Sequence, residues 1–414
     1  MTTSVLAEPV RAPKTPPPQT GRIVELEFVP PLRPRGSTPT TKFLVPIPLE
    51  RPRELPENDV AVWATASNGH RFPLAIHRAG QLELAFNWPD WVHFIRTEQY
   101  ATWRRRPLFT RFPMSYHLVP AKVRHALAKQ MCKRRESSSN QFPASLFDGG
   151  FEALRDMIGG HGLVSCDVSR EKSSTPPPAP RICLTHDVDS AEGMKRVASL
   201  AAVEQSLGVR SCWNFVVGEY ALGHKLLNTL CTDGHEIGLH DYYHDNRTIY
   251  LPESELRARL DRCRPFMEQY SVKGFRSPSW FRSPTMLRVL HDYVLYDTSC
   301  LDFDWLCPAG KGGVLSPHPF SMDGLIEIPT TLPFEYPLLL DVDPHLIPAY
   351  WEPKVEWLAA VGGQVVVNTH PESHYCGSPL MLRAYARFLE DLLYKLNGAW
   401  SLPNALAAEV GSNA

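Results

Sequence analysis

From residue 181 onward, short apolar runs alternate with longer amphipathic segments, and that rhythm restricts the fold more than any other feature of the chain. Residues 182–185 read as a buried strand, and 191–207 repeat apolar residues at helical spacing. Further strands are expected at 212–217, 236–239, 272–275, 294–296, 325–328 and 365–368. Helices are expected at 225–233, 252–270, 284–292, 352–361 and 379–396, with Pro252 suited to a first helical turn. Repeated βα units of this length imply a parallel sheet closed as a barrel. In such α/β folds the chemistry sits at the C-terminal ends of the strands.

The preceding region has a different character. Thirteen of the 39 prolines fall before residue 60, and residues 1–20 are expected to be a disordered Pro-rich tail. Strands are expected at 23–28, 42–47, 60–64, 72–76 and 82–86, with Ser67-Asn68-Gly69 and Ala79-Gly80 as turns. Residues 21–90 therefore read as a small antiparallel β module, 91–180 as a basic, aromatic helical connector and linker, and 181–400 as the barrel. Residues 91–135 carry eleven Lys and Arg against one acid, Glu98, with Trp91, Phe94, Tyr100 and Trp103 among the interleaved aromatics. Two readings stand: a connector whose aromatics dock on a neighbouring domain, or a surface for anionic lipid or sugar phosphate. A net charge of −1 and the lack of a visible reader fold argue against nucleic acid as a partner.

The nine cysteines are scattered and never spaced C-x-x-C, which fits reduced thiols rather than a disulfide scaffold or zinc ribbon. No basic flank followed by an apolar run opens the chain, and no apolar stretch approaches the ~18–20 residues that span a bilayer. The expected location is cytoplasmic, with room for a peripheral position at the inner face of the membrane.

Five expected strands end in polar groups. The strand 182–185 runs into His186-Asp187-Val188-Asp189, 236–239 into His240 with His244 four residues on, and 272–275 into Arg276. The strand 294–296 ends at Asp297, and 365–368 is followed by Thr369-His370. Each has a plain alternative. A lone histidine after a strand is commonly a hydrogen-bonded structural residue, Asp189 has the position of a helix N-cap, and Arg276 could only pair with a neighbouring acid. Two imidazoles and a carboxylate, however, can hold a divalent metal with positions left open. A second carboxylate can take a proton from water, and a separate histidine can give one to a leaving group. A His pair at i, i+4 can point both rings one way over one helical turn.

In their order, these segments resemble the polysaccharide deacetylases, the NodB-like carbohydrate esterase group. Thr185-His186-Asp187-Val188-Asp189, Gly234 to His244, Gly274 to Trp280, Tyr296-Asp297-Thr298-Ser299 and Val366 to Glu372 look like its five motifs, over about 181–375. The resemblance implies a distorted (β/α) barrel of the NodB-homology type, here with a smaller N-terminal β-rich domain. It further implies Asp187 as catalytic base, Arg276 as its partner, His370 as general acid, and His240 and His244 as metal ligands. The family's adjacent carboxylates are separated here by Val188, and in the D-x-D variant the second aspartate takes the metal, so Asp189 is the third ligand. The residue after the first metal histidine is usually Ser or Thr, and here it is Asp241.

The activity implied by the resemblance is that of a metal-dependent hydrolase, with Zn2+ ahead of Co2+, Mn2+ or Ni2+. It would remove an N-acetyl group from an amino sugar in a polysaccharide or its intracellular precursor. The alternatives are a small-molecule amidase or deformylase of the same superfamily and a catalytically silent sugar-binding barrel. Trp280 and Trp305 are candidate sugar-stacking surfaces with a core role equally open, and Asp297 either contacts His370 or caps the next helix. His186, His235 and His374 are read as structural.

Overall fold

The computed structural model describes residues 20–28, 41–47, 59–78, 81–100, 121–136, 147–148, 150–152, 154–155, 180–304, 312–396 and 399–412. Strands β1 (Thr20–Phe28), β2 (Thr41–Ile47), β3 (Val60–Ala66), β4 (Arg71–Arg78) and β5 (Gln81–Leu84) form an antiparallel sheet in the order β2-β1-β3-β4-β5. Gly69, at φ 79, makes the turn between β3 and β4 that the Ser-Asn-Gly sequence predicts. Helix Trp88–Arg96 follows, capped by the Asn87 side chain, and buries Trp91 and Phe94. Those two aromatics of the basic stretch are core residues. Trp305 lies outside the described residues.

The second sheet is a distorted (β/α) barrel. Its parallel strands are β6 (Ile182–Val188), β7 (Ser211–Phe215), β8 (Glu236–Leu239), β9 (Gly274–Phe275) and β10 (Tyr296–Asp297). A short antiparallel edge strand, β11 (Phe320–Met322), pairs with β12 (Leu325–Glu327), which lies parallel to β10. The chain then runs straight on into β13 (Leu332–Pro333), which pairs with β14 (Val365–Thr369), and β14 pairs with β6. The backbone N–H of Ile328 donates to Asp297 on one side, and that of Thr331 donates to Val366 on the other. One extended segment, 325–333, thus pairs towards both ends of the sheet and closes it; the apolar pattern predicts a strand only over 325–328.

Every residue of β6, β7, β8 and β14 is buried, as expected for parallel strands covered on both faces. Side-chain alternation sorts them. Leu184 and Val188 pack in the layer between strands and helices, whereas Cys183 joins Tyr296, Ile326, Ile328 and Val366 inside the barrel. Helix Pro403–Ser412, beyond the expected barrel boundary at 400, plugs that lower lumen with Leu406 and Ala407. The Asn404 N–H donates to Glu236, and Tyr296 donates its hydroxyl to the same carboxylate at 2.8 Å.

Two expected helices are broken. The 252–270 segment forms Glu253–Asp261 and Arg264–Tyr270, because Pro265 has no N–H to continue the ladder. The 191–207 segment forms Ala191–Met194 and Val197–Ser206, with Gly193 in the first piece lying where a Cβ would overlap the Glu372 carboxylate. No helix among the described residues is long and apolar enough to cross a membrane.

If the plug holds the lower barrel together, Leu406→Ala leaves a cavity there. The expected cost is about 2–5 kcal/mol, read from the midpoint of urea unfolding.

Candidate metal centre and active site

The same alternation that buries Cys183 carries Thr185, Asp187 and Asp189 up one side of β6 towards the strand ends. The carboxylate of Asp189 meets His240 Nε2 at 3.2 Å and His244 Nε2 at 3.5 Å. Ligand atoms of these three residues all lie within 4.8 Å of one another. Asp189 is not a helix cap; Ser190 caps Ala191–Met194 instead, accepting from the Gly193 N–H. The Asp189 N–H and the Ser190 hydroxyl both donate to Glu372, which fixes the turn carrying the carboxylate.

The donor set fits a divalent cation. The hydrogen-bond partner of His240 Nδ1 is the carbonyl of Arg276, at 2.8 Å, and a carbonyl only accepts. A proton is therefore fixed on Nδ1, and Nε2 is the nitrogen that His240 turns towards Asp189. Asp189 Oδ1 is buried and accepts no hydrogen bond among the described residues. Two imidazole nitrogens and a carboxylate oxygen turned on one point are a donor set that a divalent cation accepts.

His240 and His244 do not share a helical turn. Residues 240–247 form an irregular loop, with Asp241 at φ 67 and Asn246 at φ 57, conformations that Asp and Asn tolerate better than most residues. Arg259, from helix Glu253–Asp261, holds the loop: it donates to Asp241 at 2.8 Å, to Asp245 at 2.9 Å and to the Tyr243 carbonyl. Thr248 donates to the other oxygen of Asp241. The negative charge that Asp241 adds at this motif is thus matched by a buried guanidinium, and the His244 N–H is held by Glu219 at 2.9 Å.

Asp187 sits beside the centre with both oxygens occupied. Asn214 donates to Oδ1 at 2.8 Å and Asn368 to Oδ2 at 3.1 Å. Gly238 makes room for this, since a Cβ there would overlap the Asn214 side chain. Arg276, fully buried, donates to Thr298 and Thr185 and brings Nη1 to 3.6 Å from Asp187 Oδ2. Burial pushes the Asp187 carboxyl up, but Arg276, then His240 and His370, hold it below the usual range.

His370 faces the same carboxylate, with Nε2 3.9 Å from Asp187 Oδ2. Its other ring nitrogen and its backbone N–H both bond Glu335, each at 2.7 Å. Burial alone would lower the histidine, yet Glu335, and more distantly Asp189 and Asp187, lift it to about 10. Asp297 has a different place: it accepts from the hydroxyl and N–H of Ser299 and is fully buried beside Glu327. Burial raises both carboxyls, and the charge of Asp297 raises Glu327 further. The partner of His370 is Glu335, a residue that no motif in the sequence singles out. It is the one charged residue between Ile328 and Leu340, and a lone acid in an apolar run was the available signal.

Trp280 walls the site, its ring edge-on to Tyr336 at 5.7 Å and to His370 at 6.3 Å. Its indole N–H is buried without an acceptor among the described residues. Both Ser279 and Trp280 have positive φ, and the strained turn is gripped from the N-terminal region. Arg282 donates to the Trp280 carbonyl at 2.8 Å while pairing with Glu98, whose Oε2 accepts at 2.6 Å. Glu98 also accepts from the Gly313 N–H.

His186 is structural, set between Thr369 and Glu204 at 2.7 and 2.8 Å. His235 accepts the Ser211 N–H, and burial followed by the charge of His370 drives His374 down to about 4.

No family model and no curated protein matches the chain. Solved structures do. One is a protein from Mycobacterium smegmatis described as a polysaccharide deacetylase, at 19% identity and a TM-score of 0.47, over 58% of this chain and 96% of that one. The PuuE allantoinase is similar at 15% identity and a TM-score of 0.45, over 59% and 97%. A family 4 carbohydrate esterase from Streptomyces lividans, solved with acetate, matches at 16% identity and a TM-score of 0.34, over 53% and 90%.

Two outcomes are expected from this geometry. Glu98→Ala strands the buried Arg282 and costs about 3–5 kcal/mol in urea unfolding. Glu335→Gln lowers the His370 pKa in metal-free protein, followed by histidine NMR. The stability contributed by the raised His370 is fully present below its unfolded pKa of ~6.5 and is lost as pH rises through about 10. In Glu335→Gln that contribution is smaller and its loss is complete at lower pH.

Proposed function

We propose that the protein is a metal-dependent hydrolase that removes an N-acetyl group from an amino sugar in a polysaccharide or its precursor. The observation that carries this reading is the convergence of Asp189, His240 and His244 on one point beside a clamped Asp187 and a Glu335-bound His370. Asp189, His240 and His244 would hold the ion, with zinc the expected metal. A divalent ion there supplies the positive charge that polarises an acyl oxygen and acidifies an attacking water.

The protein's own groups do the rest. Asp187, kept ionised by Arg276 and oriented by Asn214 and Asn368, accepts the proton of the water that adds to the acyl carbon. His370 enters the reaction protonated, its Nδ1–H committed to Glu335, so Nε2–H is the proton it can give. That proton goes to nitrogen as the carbon–nitrogen bond breaks, leaving acetate and a free amine. Trp280 closes one wall, and its unpartnered indole N–H is a donor available to the sugar.

The test pairs metal analysis with acetate release from N-acetylated amino sugars. Asp189→Asn and His240→Ala are expected to lose both the ~1 metal per chain and the activity. Asp187→Asn and His370→Ala are expected to keep the metal and lose about 10²–10⁴-fold in rate. A metal-loaded protein that releases acetate from no sugar but opens cyclic imides or cleaves formamides would replace this reading with a small-molecule amidase. Metal retained by Asp189→Asn would refute the ligand set.

A further inference from the structure

Asp189 stands where two roles compete for one carboxylate. An aspartate just ahead of Ser190-Ala191 suits a helix cap, yet this carboxylate meets His240 Nε2 at 3.2 Å and His244 Nε2 at 3.5 Å. A side chain folded back over the helix start cannot also face the two imidazoles. Asp and Ser are comparable caps, so local preference does not choose between residues 189 and 190. The choice is made from 183 positions away.

Glu372, buried in the loop after β14, accepts the Asp189 N–H at 3.1 Å and the Ser190 hydroxyl at 2.9 Å, both on Oε1. Ser190 has one hydroxyl proton. With that proton given to Glu372, its oxygen keeps lone pairs for the Gly193 N–H, which it accepts at 3.2 Å. Ser190 therefore takes the cap, and the Asp189 side chain is left to the histidines. Gly193 completes the seat, because a Cβ there would overlap the Glu372 carboxylate. A second tie runs from the Ser373 N–H to Glu192 Oε2 at 3.1 Å, so the turn 189–193 and the loop 370–373 are locked at two points. Glu372 Oε2 has no partner among the described residues, so the hold on Asp189 and Ser190 is made through Oε1 alone.

We infer that Glu372 is a positioning residue for the metal centre, keeping the Asp189 carboxylate turned towards His240 and His244 and thereby setting the affinity for the divalent ion. The inference rests on the ligand set of the hydrolase reading and assigns part of its affinity to a residue outside that set. It also joins the two halves of the site, since the loop that carries His370 is the loop that seats Asp189.

The experiment is a competition titration of Zn2+ against a chromophoric chelator, using the full chain stripped of metal, with circular dichroism of each metal-free variant alongside. Glu372→Ala removes the acceptor and is expected to weaken Zn2+ binding about 10–100-fold with the spectrum unchanged. Glu372→Gln removes the same charge but keeps a carbonyl oxygen in the place of Oε1, and is expected to bind within about threefold of the wild type. Gly193→Ala, which helix propensity alone would favour, is expected to weaken binding as Glu372→Ala does, and the double variant no further than either single one. Binding by Glu372→Ala equal to the wild type would overturn the inference. So would Glu372→Gln failing as Ala does, because Glu372 would then supply charge rather than position. Should Glu372→Ala not fold, undiminished binding by Gly193→Ala overturns the inference in its place. A wild type that takes up no metal overturns the ligand set itself, a result distinct from wild-type binding that the Glu372 variants leave untouched.

Discussion

A guanidinium sealed inside a barrel must find its acceptors there, and the placement of Arg276 governs much of what surrounds it. Its side chain is fully buried, so its donors go to Thr185 on β6, to Thr298 beyond β10 and towards Asp187. Its own carbonyl fixes the proton of His240. One residue thus ties Asp187, His240 and three strands into a single electrostatic unit. Losing either partner of a buried pair costs more than the pair contributes, which makes such a unit rigid. That rigidity holds the Asp187 carboxylate in one place beside the Asp189, His240 and His244 cluster.

Charge balance repeats at each layer outward. Asp241 is matched by Arg259, Glu98 by Arg282, and His370 by Glu335. The last pairing has a chemical consequence, because the same negative field that keeps His370 protonated is countered at Asp187 by Arg276. His370 and Asp187 therefore favour opposite protonation states although their polar atoms are 3.9 Å apart. The Glu98 pairing has an architectural one: a residue just after helix Trp88–Arg96 supports the turn that presents Trp280.

Much of the barrel was legible from residue order. Period-two alternation along β6 and β14 sends Asp187, Asp189 and His370 towards one rim whatever the surrounding sequence, and apolar runs bounded by helical spacing located nearly every parallel strand. Where residue order misled, a local rule competed with the periodic one. Pro265 split an otherwise continuous amphipathic pattern, and Asp241 and Asn246 turned an i, i+4 histidine pair into a loop pair whose rings converge only because Arg259 pulls the loop in. The closing segment 325–333 was half recognised, since its second piece, Leu332–Pro333, is too short to show a strand pattern.

The chemistry-bearing residues and their strand-end positions belong to the sequence, because alternation and strand order act over a few residues at a time. Their partners belong to the tertiary structure. Glu335 meets His370 across 35 positions, Asn368 meets Asp187 across 181, and Glu98 meets Arg282 across 184. No periodicity links positions so distant; they meet because barrel closure brings both ends of the sheet together and leaves each buried charge a single place to be satisfied.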